Sequence, residues 1–342
     1  MSKSQIHAKS SFMARMSGLL CCVLLGSVLT ACSMAESEAA PTGQPSSVTA
    51  SEVSAAAADS GAKPSGGERT VTDELGHEIR IPAEPKNIFA PNMEDSLLKL
   101  GVKPIAQWSN GNMGHDYLQE ELKDVPKLDL SGGLPSPETL MAYNPDLIIL
   151  HTDTYAQNGN YESYSKIAPT YVFKNASGNI EKSLTAIGDL LGKTEEANKA
   201  LEAYQQKVKE GREKLKEAVG DKKVAIIRFA HKGVSLMGGQ YLCGYVVHRD
   251  LELGISNLVG NENSASISME ILPELDADYI FVLNAYNQGT ERMTEMMESP
   301  IWKSMPAVKE GHVYEVSNKY WLGSGLIAYE KIVDDTVRLL TE

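Results

Sequence analysis

The chain has 342 residues, 32 Lys and Arg against 45 Asp and Glu, and a formal charge of −13. That acidity, with no long basic run, excludes nucleic acid as a partner, because neutralising phosphates takes clustered Lys and Arg. A hydrophobic content of 42% excludes a wholly disordered chain, and the length leaves room for one large domain or two ordinary ones.

Lys3, Lys9 and Arg15 precede an apolar run from Gly18 to Leu29, and no acid occurs before Glu36. Such a run is too short for a membrane span, which needs ~20 residues, and its flanks are those of a secretion signal over residues 1–31. Leu29-Thr30-Ala31-Cys32 resembles the lipobox of bacterial lipoproteins, which implies cleavage before Cys32 and lipid on its thiol; the alternative is an ordinary signal peptide. Cleavage would leave 29 basic residues against 45 acids, a charge of −16, with Cys243 as the remaining free thiol. A lone cysteine forms no intrachain disulfide and no paired metal site, and Cys243 is expected to be a small packed residue. Residues 33–67 hold 26 Ala, Ser, Gly, Pro or Thr among 35, with no aromatic, and read as a tether over 32–67.

The folded part is expected from about residue 68. Thr70–His77 is a short strand and turn, Ile79–Pro82 another strand ended by proline, Ile88–Ala90 a strand, and Glu94–Leu100 a helix closing at Gly101. Pro104–Trp108 is expected as the next strand, Ser136–Tyr143 as a helix and Asp146–His151 as a buried strand. Strands alternating with helices point to an α/β fold with a parallel or mixed, Rossmann-like sheet. One pattern recurs. Glu138, Leu140 and Asp146 lead into Leu147–Leu150, and Glu270, Leu272 and Asp278 lead into Tyr279–Leu283, 132 residues apart. The repeat indicates two lobes of similar design. Between them Leu184, Ile187, Leu191, Ala197, Leu201, Tyr204, Val208 and Leu215 follow helical spacing. The proline-free stretch 194–219, with Thr194 as its cap, predicts a helix of ~38 Å, long enough to join two lobes. The expected boundaries are 68–185 for the first lobe, 186–220 for the interlobe helix and 221–342 for the second lobe.

Four segments together resemble the substrate-binding proteins of ABC importers for iron–siderophores, haem and cobalamin. They are the Glu-x-Leu…Pro-Asp-Leu-Ile-Ile unit, Ile81–Ile88, Leu100–Ile105 and Ile167–Thr170. The resemblance covers about residues 70–340 and implies two lobes joined by one rigid helix, a ligand cleft between them and a small closing motion. Glu94-Asp95, Trp108 and Asp116–Gln119 resemble the binders of ferric hydroxamates. The resemblance also implies that Glu138 and Glu270 dock onto arginines of the membrane permease, which suits charge-assisted hydrogen bonds; the plainer alternative is a first-turn acid favouring its helix dipole.

A ferric trihydroxamate shows oxygen-rich iron ligands wrapped in an apolar carrier, so its cleft should offer a cationic donor and several aromatic faces. Arg228 on the strand Val224–Phe229 is an unusual place for a charge unless its head reaches a polar cleft, and its planar fork suits hydroxamate oxygens. Trp108, Tyr286, Tyr320 and Trp321 are the aromatic candidates, with Tyr241, Asn92 and Tyr117 behind them. Iron would be held through the siderophore alone, with no cofactor and no protein metal site. Haem or another iron chelate is the alternative ligand, with His231, His248 and Met93 as candidate axial groups. No Gly-x-Ser-x-Gly, phosphate loop or His-Glu-x-x-His occurs, and Gly323-Ser324-Gly325 alone is a turn signal, so the chain is read as a binder rather than a tethered extracellular enzyme. A structural or adhesive lipoprotein is the remaining rival. The expected setting is the outer face of a Gram-positive cell membrane, as a lipid-anchored monomer.

Overall fold

The computed structural model describes residues 67–342. The expected signal segment, the lipid site Cys32 and nearly all of the tether lie outside the described residues. No helix of the described residues is long and apolar enough to cross a membrane.

Glu68–Thr72 and Glu78–Pro82 form an antiparallel hairpin. The first lobe then contains two small sheets. Ile88–Phe89, Leu147–Leu150 and Thr170–Val172 run parallel, with Leu147–Leu150 central. Gln107–Asn110 pairs parallel with Lys127–Asp129 and antiparallel with Met113–Gly114. The second lobe contains one six-stranded mixed sheet, in which Lys223–Ala230 lies between Gly233–Met237 and Tyr279–Asn284. On Lys223–Ala230 the side chains alternate between two cores. Val224 and Ile226 join a cluster that reaches into the first lobe, while Ala225, Ile227 and Phe229 join one confined to the second.

Two elements differ from expectation. Residues 104–106 are not in a strand; pairing begins at Gln107, whose N–H donates to the Pro126 carbonyl. The helical stretch before the second lobe is two helices, Ile180–Leu190 and the 25-residue Thr194–Ala218, broken at Leu191–Lys193. Residues 186–190 therefore belong to the earlier helix. Thr194, expected as the cap, is instead the first residue of the long helix, and Lys193 occupies the cap position without a side-chain cap bond. Ala197, Tyr204, Val208 and Leu215 form the buried stripe of the long helix, which packs against the C-terminal helix Leu326–Thr341.

The repeat holds at the level of individual bonds. Ser136 and Ser268 each accept a backbone bond from the Leu four residues on, Leu140 and Leu272. Asp146 and Asp278 each accept from the backbone at the start of the neighbouring parallel strand, at Lys86 and Asn87 in one lobe and at Lys223 in the other. The second copy is less helical. Pro137–Met141 is a helix capped by the Ser136 hydroxyl, whereas the corresponding turn tightens into the three-residue 3₁₀ helix Leu272–Glu274.

Candidate functional site

In sheets of this type ligands bind outside the carboxyl ends of the strands, where the chain turns away and leaves side chains free. The carboxyl ends of both lobes converge here. Asn92 follows Ile88–Phe89, Trp108 lies on Gln107–Asn110 and His151 follows Leu147–Leu150. Arg228 lies near the end of Lys223–Ala230, and Tyr286 follows Tyr279–Asn284. These residues line two adjoining cavities. One, of about 280 Å³, is lined by Arg228, Ser235, Met237, Asn263 and Ser264. The other, of about 190 Å³, is lined by Asn92, Trp108, His115, His151, Ser177 and Lys319. Tyr241, Leu242, Tyr286 and Leu322 border both, so the two form one continuous cleft.

Arg228 stands opposite Ser235 across the hairpin, which puts both side chains on the cleft face. Its Nε is buried without a hydrogen-bond partner, a costly state for a guanidinium unless something fills the cleft. Tyr241 and Tyr286 flank it at 37% and 40% exposure, two of the few large apolar side chains left open to solvent. Burial pushes both phenols above their usual pKa, and the Arg228 charge pulls them partly back. Asn92, Leu242 and Tyr286 all hold a left-handed backbone, with φ of 64°, 49° and 52°. For Leu and Tyr that conformation is strained, and strain of this kind gathers at binding sites.

The opposite wall presents His151 beside Trp108 and Asn92. Burial lowers the His151 pKa to about 4 against smaller upward pulls from Glu94 and the Pro91 backbone, so it is an uncharged imidazole at neutral pH. Behind the wall lies a buried cluster. Glu94 accepts from the Trp108 N–H at 2.6 Å. Its other oxygen lies 3.3 Å from His115 Nε2, close enough for an ion pair but without the alignment of a hydrogen bond. Burial alone would lower the His115 pKa, but Glu94, with Asp95 and Asp116, raises it overall. Asp95 accepts from the Tyr117 hydroxyl and from the N–H groups of Ile327 and Ala328.

Of the residues expected in the site, Arg228, Tyr286, Tyr241, Trp108 and Asn92 come together in the cleft. Tyr320 and Trp321 do not. Trp321 is fully buried against Phe281, and its Nε1 donates to Asp335. The Tyr320 hydroxyl donates to the same carboxylate. Asp335 on the C-terminal helix draws both side chains inward, away from the cleft. Tyr117 is also turned away, bonded to Asp95 beneath the wall. The haem candidates separate too. Met93 is buried in the core, His231 lies in a surface hollow with Glu291 and Arg292, and half-buried His248 bonds the Leu253 carbonyl. Cys243 is free and buried, its thiol pushed up to about 12 by that burial, as a packing residue should be. His115 and His151 are the site residues that sequence reasoning missed. His151 could have been found from its place directly after a buried parallel strand.

A family model for periplasmic binding proteins matches residues 91–320. The chain belongs to the periplasmic binding protein family. An iron(3+)-hydroxamate-binding protein, FhuD of Bacillus subtilis, is 30% identical to it over 248 residues, which span 70% of this chain and 76% of the relative. A second iron(3+)-hydroxamate-binding protein of the same organism, YxeB, is 27% identical over 72% of this chain and 77% of its own length. Among solved structures, a FhuD-fold component of a Bacillus subtilis ferrichrome ABC transporter aligns with a TM-score of 0.67 and 26% identity, covering 80% of this chain and 100% of that one. Staphylococcus aureus SirA complexed with staphyloferrin B aligns with a TM-score of 0.69 at 23% identity, over 80% of this chain and 98% of that one, and shares the fold. The periplasmic binding protein fold here is thus the two-lobed α/β form joined by a long helix, as the sequence repeat indicated.

Proposed function

We propose that this periplasmic binding protein captures a ferric hydroxamate siderophore in the cleft between its lobes and delivers it to the permease of an ABC importer. In this reading lipid on Cys32 holds it to the outer face of the cell membrane. The observation that carries the ligand class is Arg228, a half-buried guanidinium whose buried Nε has no partner, flanked by two open phenols. A guanidinium donates well to the oxygens around ferric iron, and phenol rings cover the apolar carrier. The hydroxamate-binding relatives support the same choice.

Glu138 and Glu270 are proposed as the permease contacts. Each sits fully exposed on its turn. Bonds from its own N–H and from a serine two residues earlier hold each below the usual carboxylate range: the N–H leads for Glu138, and the Ser268 hydroxyl leads for Glu270. Each also has an apolar neighbour left open to solvent, Met141 at 54% beside Glu138 and Ile271 at 39% beside Glu270. An acid beside an exposed apolar side chain on each lobe suits a partner with paired basic and apolar patches.

Tryptophan quenching tests the ligand. Trp108 lines the cleft while Trp302 and Trp321 are buried in the cores, so Trp108 is the reporter. Titration with ferrioxamine B, ferrichrome, a ferric catecholate and haemin should show saturable hydroxamate binding in the nanomolar-to-micromolar range. Haemin binding with a Soret shift, in place of hydroxamate binding, would replace the ligand assignment. For docking, Glu138→Ala with Glu270→Ala should leave affinity intact and stop radio-iron uptake; normal uptake refutes it.

A further inference from the structure

Asp95 is buried on the short helix Glu94–Lys99 of the first lobe, yet its carboxylate serves the second. One oxygen accepts from the Ile327 N–H at 3.0 Å. The other accepts from the Ala328 N–H at 3.0 Å and from the Tyr117 hydroxyl at 2.9 Å. The two N–H groups are orphan donors of the first turn of the helix Leu326–Thr341, 232 and 233 residues away. Lys99 on the same short helix pairs with Glu330 one turn further along, at 2.5 Å.

The Gly323-Ser324-Gly325 turn is shaped to this contact. A Cβ at Gly325 would lie 2.2 Å from the Asp95 carboxylate, and one at Gly323 would lie 2.9 Å from the Tyr117 hydroxyl. Leu322, Gly323 and Ser324 between them line the cleft. On the other side Tyr117 meets His115, and His115 meets Trp108, both of which line the facing wall. Asp95 therefore sits where the two walls are tied together.

We infer that Asp95 is a positioning residue for the cleft: by binding the start of the C-terminal helix against Tyr117, it fixes the separation of the two walls and hence the affinity for ligand. This rests on the siderophore-binding reading for its affinity arm alone. When the clamp is lost, the binding-ready separation is one of several, and apparent affinity falls by the fraction of time it is populated. With the clamp gone the liganded walls also part more often, so ligand escapes sooner and the loss appears in residence time.

The test combines stopped-flow kinetics of ferrioxamine B with hydrogen exchange at Ile327 and Ala328. Asp95→Ala should speed dissociation roughly tenfold or more, the scale of losing a buried acceptor, and speed exchange at both amides. Gly325→Ala should do the same. The double variant should be no worse than either single one, because both break one contact. Asp95→Asn, which keeps an acceptor for the helix, should restore most of the residence time. Unchanged dissociation in folded Asp95→Ala, additive losses in the double variant, or Asp95→Asn no better than Asp95→Ala would each overturn the inference. Should Asp95→Ala fail to fold, Asp95→Asn and Tyr117→Phe decide: both should dissociate faster than the parent, and parental rates in both overturn it. The exchange arm needs no ligand. If the parent chain binds no siderophore, the functional reading fails, while faster or unchanged exchange in Asp95→Ala still supports or overturns the clamp.

Discussion

On the second-lobe wall of the cleft a guanidinium and two phenols face the space directly, whereas on the first-lobe wall the charges stand one layer back. Arg228 has no protein partner for its Nε, and Tyr241 and Tyr286 are open. Asp95, by contrast, has both oxygens occupied by backbone N–H groups and the Tyr117 hydroxyl, and Glu94 is held from behind by the Trp108 backbone N–H and faces His115 rather than the cleft. The difference teaches that one wall is built to bind and the other to be shaped. A charge without a protein partner is available to a ligand, while a charge already satisfied contributes position.

Breaking the binding wall should have the largest effect. Arg228→Ala removes the main donor and leaves ligand oxygens unpaired, so affinity for ferrioxamine B should fall roughly a hundredfold by tryptophan quenching. Tyr286→Gly comes next and should show opposite signs in two measurements. Losing the aromatic face should weaken binding about tenfold, while relief of the left-handed backbone should raise stability by about 1 kcal/mol in chemical denaturation.

A third variant probes behind both walls, at the long helix. Burial raises the Asp250 pKa to about 6, with Glu181 pushing further and the Tyr204 hydroxyl, Arg212 and Arg249 pulling back. A carboxyl with a raised folded pKa favours the fold when protonated, and that contribution is lost as pH rises through about 6. Asp250→Asn should therefore stabilise the protein by about 1 kcal/mol at pH 7, with the gain vanishing near pH 4, as thermal melts across that range would show. Smallest is the shaping wall: His151→Asn, which exchanges one neutral polar group for another, should change affinity only about threefold. A hundredfold loss there would erase the contrast between the walls.

Much of this was legible in the chain. Arg228 stood out because a charge inside an apolar strand needs a reason, and the reason is the cleft at that strand's carboxyl end. The Glu138 and Glu270 units were readable because Asp146 and Asp278 must each satisfy the backbone at a neighbouring strand's start, which fixes their spacing from the following apolar run. Tyr320 and Trp321 misled, since an aromatic pair beside a glycine turn reads equally as cleft or core. The deciding partner, Asp335, lies on another element, and no local pattern announces it. The strand expected at 104–108 began later because pairing, which sequence does not display, starts only at Gln107. His115 and His151 belong to no spacing motif; their place follows from topology alone.

The apolar cluster that runs from Ile88 and Leu147 through Ala197 and Tyr204 to Ile226 and Ile332 is a single body. Its consequence concerns folding. The repeat gives each half similar outlines, but neither half owns all of its core, so cutting the chain within the long helix would strand apolar surface on both pieces. The two lobes should unfold in one calorimetric transition, and neither should be obtainable as a stable fragment.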